Sequence, residues 1–148
     1  NEGTSVVQTV AGVREAGACE IVVVDGGSGD GTLEVVSSLA DIALSAPRGR
    51  ASQMNAGARA ARGEVLLFLH ADTVLPRHFP ELVRNALQDP AVLGGRFDVR
   101  LNAVGWSFRM IETLMNVRSR LTRIATGDQA IFVRHDVFRA LGGFPELN

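Results

Sequence analysis

Apolar residues along this chain recur alternately at helical and at strand spacing. Val6, Val7, Val10 and Val13 predict a helix over 4–16, and the run Ile21-Val22-Val23-Val24 predicts a buried strand over 20–24. Leu33, Val36 and Leu39 lie on one helical stripe and predict a helix over 32–39, followed by a short strand over 42–44. The alanine-rich stretch 51–62 reads as a helix, with Gly63 suited to a left-handed stop before a strand over 65–69. Pro76 and Pro80 mark a loop and a helix start, so 79–87 is the fourth helix, broken at Asp89-Pro90. This alternation implies an α/β fold, a mostly parallel sheet flanked by helices. After Gly94-Gly95 the pattern changes. Residues 96–101 alternate as a half-exposed strand does, 104–121 form a long helix, 129–133 a strand and 136–141 a short helix ending at Gly142-Gly143. No internal repeat, low-complexity tract or linker interrupts the chain.

At 148 residues and 46% apolar content, the chain can bury one ordinary core, so a single domain over 1–148 is expected. All 15 basic residues are arginine, which removes any mechanism that needs a P-loop or Schiff-base lysine. Cys19 is the only cysteine, so no internal disulfide and no thiolate zinc cluster can form. No apolar run approaches the roughly twenty residues that span a bilayer. A cytoplasmic protein, with peripheral membrane contact left open, is the expectation.

The chemistry concentrates at two strand ends. The first strand runs into Asp25-Gly26-Gly27-Ser28-Gly29-Asp30-Gly31-Thr32, and the strand over 65–69 runs into His70-Ala71-Asp72-Thr73. A carboxylate and a glycine-rich turn at the carboxyl edge of such a sheet offer acceptor oxygens and free N–H groups where open α/β folds bind ligands. Two strand-end acids, Asp25 and Asp72, therefore predict a nucleotide and metal site. The glycine spacing is not that of a dinucleotide fingerprint, which weakens a dehydrogenase reading.

Four stretches together carry a resemblance: 24–32, Gly49-Arg50 through Asn55-Ala56-Gly57, Phe68-Leu69-His70-Ala71-Asp72, and Gly142-Gly143-Phe144-Pro145-Glu146. In this order and spacing they resemble family 2 glycosyltransferases of the GT-A fold. The resemblance implies transfer of a sugar from a nucleotide-diphosphate-sugar donor, with inversion, and a divalent metal, Mn²⁺ or Mg²⁺, on the diphosphate. Asp72 is then the expected metal contact. Where the family usually has Asp-x-Asp this chain has His70-Ala71-Asp72, and an imidazole ligand from His70 would favour Mn²⁺; the alternative is a His70 that only caps the strand.

Asp25 would receive the nucleoside, the alternative being a turn residue that satisfies the N–H groups of Gly27 and Ser28. Many relatives have two consecutive acids where Asp25-Gly26 stands, so the nucleotide base is left open. Arg50 and Gln53 stand where a guanidinium and a helix start would face a diphosphate, with a solvated first turn as the alternative, and Asn55 would contact donor or backbone. Inversion needs a base for the acceptor hydroxyl, and Asp128 in Thr126-Gly127-Asp128-Gln129 is the candidate, against a plain turn role.

In the family the base typically lies beyond the Gly-Gly-Phe motif, whereas this chain ends at Asn148. Asn1-Glu2 resembles the tail of the family's first loop. Truncation at both ends is the expectation that follows. Non-catalytic nucleotide-sugar binding and sugar nucleotidyl transfer remain as alternative functions.

The acceptor is unspecified. The segment 96–123 carries six arginines against Asp98 and Glu112, interleaved with Trp106, Phe108, Met110, Ile111, Leu114, Met115, Val117 and Leu121. An amphipathic helix of this kind could lie on an anionic membrane or receive a lipid-linked or apolar acceptor, the plainer alternative being a covering helix that packs on the sheet or on a second subunit, as in a homodimer. Nucleic-acid binding is not expected from a net charge of −1 and few aromatics.

Overall fold

The computed structural model describes residues 3–17, 19–101, 105–122, 124 and 129–146. Its elements are α1 (Gly3–Ala16), β1 (Val22–Asp25), α2 (Thr32–Ser37), β2 (Ile42–Ser45), α3 (Arg50–Ala60), β3 (Val65–Phe68), α4 (Phe79–Ala86), β4 (Gly94–Arg96), α5 (Trp106–Thr122), β5 (Ile131–Arg134) and α6 (His135–Ala140).

The valine stripe of α1 works as its spacing predicts. Val6 and Val10 are buried with Ile21 and Val36, and Val13, Val23, Leu33 and Ala71 pack around them. β1 and β2 pair in parallel, Val22 opposite Ile42 and Asp25 opposite Ser45. A second ladder has the order β3-β5-β4, in which β5 runs antiparallel to both neighbours, so that β3 and β4 are parallel to each other. The strand formed late in the chain has inserted between two earlier ones, a pairing that local period cannot announce. Its flanks hold two further clusters: Ala58, Leu66 and Phe138, and Val83, Leu87 and Phe132.

Two expectations are corrected. The strand expected over 96–101 lies at Gly94–Arg96 instead. The glycines permit this close pairing, because a Cβ on Gly94 would stand 2.5 Å from the Phe132 carbonyl oxygen and one on Gly95 2.6 Å from the Phe132 ring. Beyond Arg96 the backbone turns to α5, where Val99 N–H donates to Asn116 Oδ1 at 2.9 Å and Leu101 N–H to Glu112 Oε1 at 2.6 Å. Gly63 is likewise not the left-handed stop of α3. That helix ends at Ala60, Ala61 is extended, and Arg62 N–H donates to Glu20 Oε2 at 2.6 Å, a carboxylate taking the place of a glycine turn. Gly142 and Gly143, at φ 80° and 82°, do end α6 as expected.

Gly94→Ala is expected to cost roughly 2–3 kcal/mol, because the clash is with backbone that cannot yield without opening the ladder. A fall in thermal midpoint of roughly 5–10 °C by circular dichroism would show it, and an unchanged midpoint would refute the close-approach argument.

Candidate functional site

The turn after β1 is built around one carboxylate. Asp25 is buried, 8% exposed, at the strand's last position, and its Oδ2 accepts N–H bonds from Gly27 and Ser28, each at 2.8 Å. A hydrogen bond from the Ser28 side chain, with these two N–H groups, holds the Asp25 carboxyl below its ordinary value against the opposing effect of burial. Gly27 adopts φ 90°, which a glycine supplies without strain, and nothing would lie within 4 Å of a Cβ there. A second aspartate repeats the device, with Asp30 Oδ1 accepting from Thr32 N–H at 3.1 Å and from the Thr32 hydroxyl as α2 begins.

The folded Asp25 carboxyl holds its proton less tightly than the unfolded one, so its stabilisation is complete above the unfolded value of about 3.9 and is lost as pH falls through the folded value. Asp25→Asn keeps an oxygen for Gly27 and Ser28 but no titration. The urea midpoints of variant and wild type should therefore converge as pH drops from about 6 to about 3. A constant difference would contradict the depressed carboxyl.

Gln53, in the first turn of α3, reaches this turn. With its amide oriented to satisfy both ends, it donates to Gly49 O at 3.1 Å and accepts from Gly26 N–H at 3.1 Å. A side chain on Gly26 would collide with it, at 2.8 Å from the Gln53 amide. Arg50 opens the same helix and is exposed. Asn55, one turn further on and 8% exposed, points elsewhere. Its Nδ2 donates to Phe144 O and its Oδ1 accepts from Phe144 N–H, both at 2.9 Å, so the amide clamps the Gly142–Phe144 turn by its backbone.

That turn leans on β3. Phe144 packs on Phe68 at 5.0 Å and on Phe138 at 5.2 Å between ring centroids. Two residues after Phe68 comes the second acidic turn, closed by Thr73 N–H donating to His70 O at 3.1 Å. Thr9 of α1 fixes it from outside, its hydroxyl donating to Ala71 O at 2.7 Å, while Ala71 packs into the α1 core beside Val23 of β1. Asp72 is exposed at the tip, and His70 is half-buried.

Each strand-end turn is held by a side chain from a neighbouring helix. Gln53 of α3 reaches the first, and Thr9 of α1 holds the second. Sequence reasoning did not single out Thr9, Phe138 or the side chain of Ser28. Thr9 sits beside the buried valine stripe with no local mark of its partner 62 residues away. Among the described residues no three His, Cys, Asp or Glu side chains gather to hold a metal ion. Asp128 lies outside the described residues, as do Asn1 and Glu2. A recess of about 310 Å³ between β4, β5 and α5, lined in part by Gly95, Ser119, Ile124 and Phe132, includes none of the expected site residues.

Three comparisons bear on this site. A mannosyltransferase from Pyrobaculum calidifontis, solved in complex with GDP-Man and Mn²⁺, superposes with a TM-score of 0.78 at 25% identity, over 98% of this chain and 45% of that one. An uncharacterized glycosyltransferase of Nostoc sp. (strain PCC 7120) is 37% identical over 82 residues, 51% of this chain and 26% of the relative. The chain therefore spans less than half the length of either protein. The fold is GT-A, with the parallel β1–β2 pair leading into the first acidic turn. Residues 1–142 match the model of glycosyl transferase family 2, and the chain belongs to that family.

Proposed function

We propose that this chain carries the donor site of an inverting, metal-assisted glycosyltransferase that uses a nucleotide-diphosphate sugar. The observation that carries the reading is the Asp25 turn. A buried carboxylate, kept ionised by Ser28 and two N–H groups, ends a parallel strand beside the first turn of α3. A rigid acceptor of this kind suits the hydroxyls or base N–H groups of a nucleoside, and Gly27 leaves room for its approach. Arg50 and the start of α3 supply the positive end that a diphosphate needs as its charge grows on bond breakage. Because the P. calidifontis relative was solved with GDP-Man, GDP-mannose is the first donor to test.

The residues at the second turn fit a divalent ion that is shared with the donor. Asp72 is one exposed hard ligand and His70 a neighbouring imidazole, and a single carboxylate with diphosphate oxygens and water is the ordinary setting for Mg²⁺ or Mn²⁺ at nucleotides. When bound, the ion would neutralise charge on the departing diphosphate. Asp72 would hold it, with His70 as a further ligand. Asp128 remains the candidate base for the acceptor hydroxyl.

His70 in place of the family's usual acid also favours a second reading, a module that binds the nucleotide sugar without turnover. Product analysis of the protein with GDP-, UDP-, dTDP- and CDP-sugars and Mn²⁺ separates these. Release of nucleoside diphosphate supports glycosyl transfer and binding without release supports the module, whereas formation of a nucleotide sugar and pyrophosphate from a nucleoside triphosphate and a sugar 1-phosphate refutes both in favour of nucleotidyl transfer.

A further inference from the structure

Helix α5 lies on the protein with its polar side inward. Glu112 and Ser119 are its buried residues, at 8% and 3% exposure. Glu112 accepts from Leu101 N–H and from Arg109, and Asn116 pairs with both the N–H and the carbonyl of Val99. The Ser119 hydroxyl donates to Ile124 O at 2.6 Å and sits 2.7 Å from the Gln129 amide. These bonds fix the roll of the helix, because rotating it would strip backbone groups of 99–101 of their partners.

The opposite side is apolar and bare. Trp106 is 79% exposed, Leu114 60% and Leu121 80%, with Met110 and Val117 close to half exposed between them. At 100° per residue these five fall within an arc of about 80°. Arg118 borders the arc on one side, and Arg109 and Arg120 border it on the other. Glu112 is buried and paired with Arg109, and Asp98, its side chain 46% exposed, is held between Arg96 and Arg120. A stable surface helix ordinarily shows the reverse arrangement.

We infer that the outward face of α5 docks on an anionic lipid surface, with the Trp106–Leu121 stripe in the acyl boundary and, at the headgroups, Arg118 together with Arg120, whose partner Asp98 is shared with Arg96. An apolar arc flanked by arginines, with an aromatic residue at one end, matches that interface in both polarity and charge. A second copy fits it poorly. Two such faces would bring arginines against arginines with no exposed acid on α5 to pair them.

Trp106 is the only tryptophan, so its emission reports this face directly. The protein should cosediment with phosphatidylcholine vesicles that contain phosphatidylglycerol, with a blue shift of Trp106, and not with phosphatidylcholine alone. Leu114→Glu combined with Leu121→Glu should abolish binding, and Arg118→Glu alone should weaken it about tenfold. Arg118 is exposed, so this second variant keeps the test decisive if the double variant does not fold. Equal binding to neutral vesicles, no binding to either, or a dimer in solution that the double variant dissolves would each overturn the inference, the last in favour of a second copy. No nucleotide sugar enters the assay, so failure here leaves the donor-site reading untouched, and failure of that reading leaves this one.

Discussion

Asp72→Ala is expected to abolish the metal-dependent stabilisation of the protein by its nucleotide sugar while leaving the fold as it was. Asp72 is exposed at the tip of the His70–Thr73 turn, and the bonds that hold this turn run through the backbone of His70, Ala71 and Thr73 and the Thr9 hydroxyl. Removing the carboxylate therefore takes nothing from the packing. Because no three-ligand cluster gathers among the described residues, Mn²⁺ alone should shift the melting temperature little, and Mn²⁺ with the donor should shift it strongly. A ligand at a hundred times its Kd adds about 2.7 kcal/mol, roughly 6–10 °C for a domain of this size. In Asp72→Ala the part of that shift that depends on Mn²⁺ should vanish, and turnover should fall about 10²-fold or more. An equal shift in the variant would remove Asp72 from the metal, and with it the proposed role of the second turn.

The largest loss of stability is expected at Asn55. Its amide is the bond between α3 and the Gly142–Phe144 turn, 89 residues away in sequence, and both atoms are engaged with Phe144 at 2.9 Å. Asn55→Ala would leave a part-buried N–H and a carbonyl without their partner and open a gap beside a side chain that is now 8% exposed. A cost of about 2–4 kcal/mol follows, with a fall of roughly 6–12 °C in melting temperature. Gly143→Ala tests the same joint from its other side. At φ 82° an added Cβ would stand 2.6 Å from Asn55 Oδ1, so strain and collision act together. The two losses should be strongly non-additive in the double variant, because each removes the same clamp. Additive losses would show that Asn55 and the turn are energetically separate.

These joints show why parts of the site were legible in sequence and others were not. Asp25 and its glycines announce themselves locally, since an apolar run, an acid and a turn are neighbours in the chain, and the turn hydrogen bonds close within three residues. Asn55 could be marked as a candidate, but its choice of backbone over ligand depends on a turn near the other end of the chain. Gly63 looked like a helix stop by residue type, and a carboxylate from Glu20 displaced that role. Gly94 and Gly95 looked like a break before a strand, whereas they are the strand, because only their missing side chains admit Phe132 and Val133 so closely.

What the amino-acid order determined by itself is what depends on near neighbours: the alternation of helices and strands, the two acidic turns at strand ends, and the amphipathic character of the segment that became α5. Periodicity and turn chemistry act over a few residues, so those features can be read without coordinates. Only the tertiary structure decided that β5 enters between β3 and β4, that Gln53 of α3 reaches the first acidic turn and Thr9 of α1 the second, and that α5 turns its glutamate and serine inward and its tryptophan and leucines outward. Those outcomes depend on partners distant in sequence, as in α5, where Asn116 and Glu112 satisfy backbone groups of Val99 and Leu101 and so hold the polar side of the helix inward.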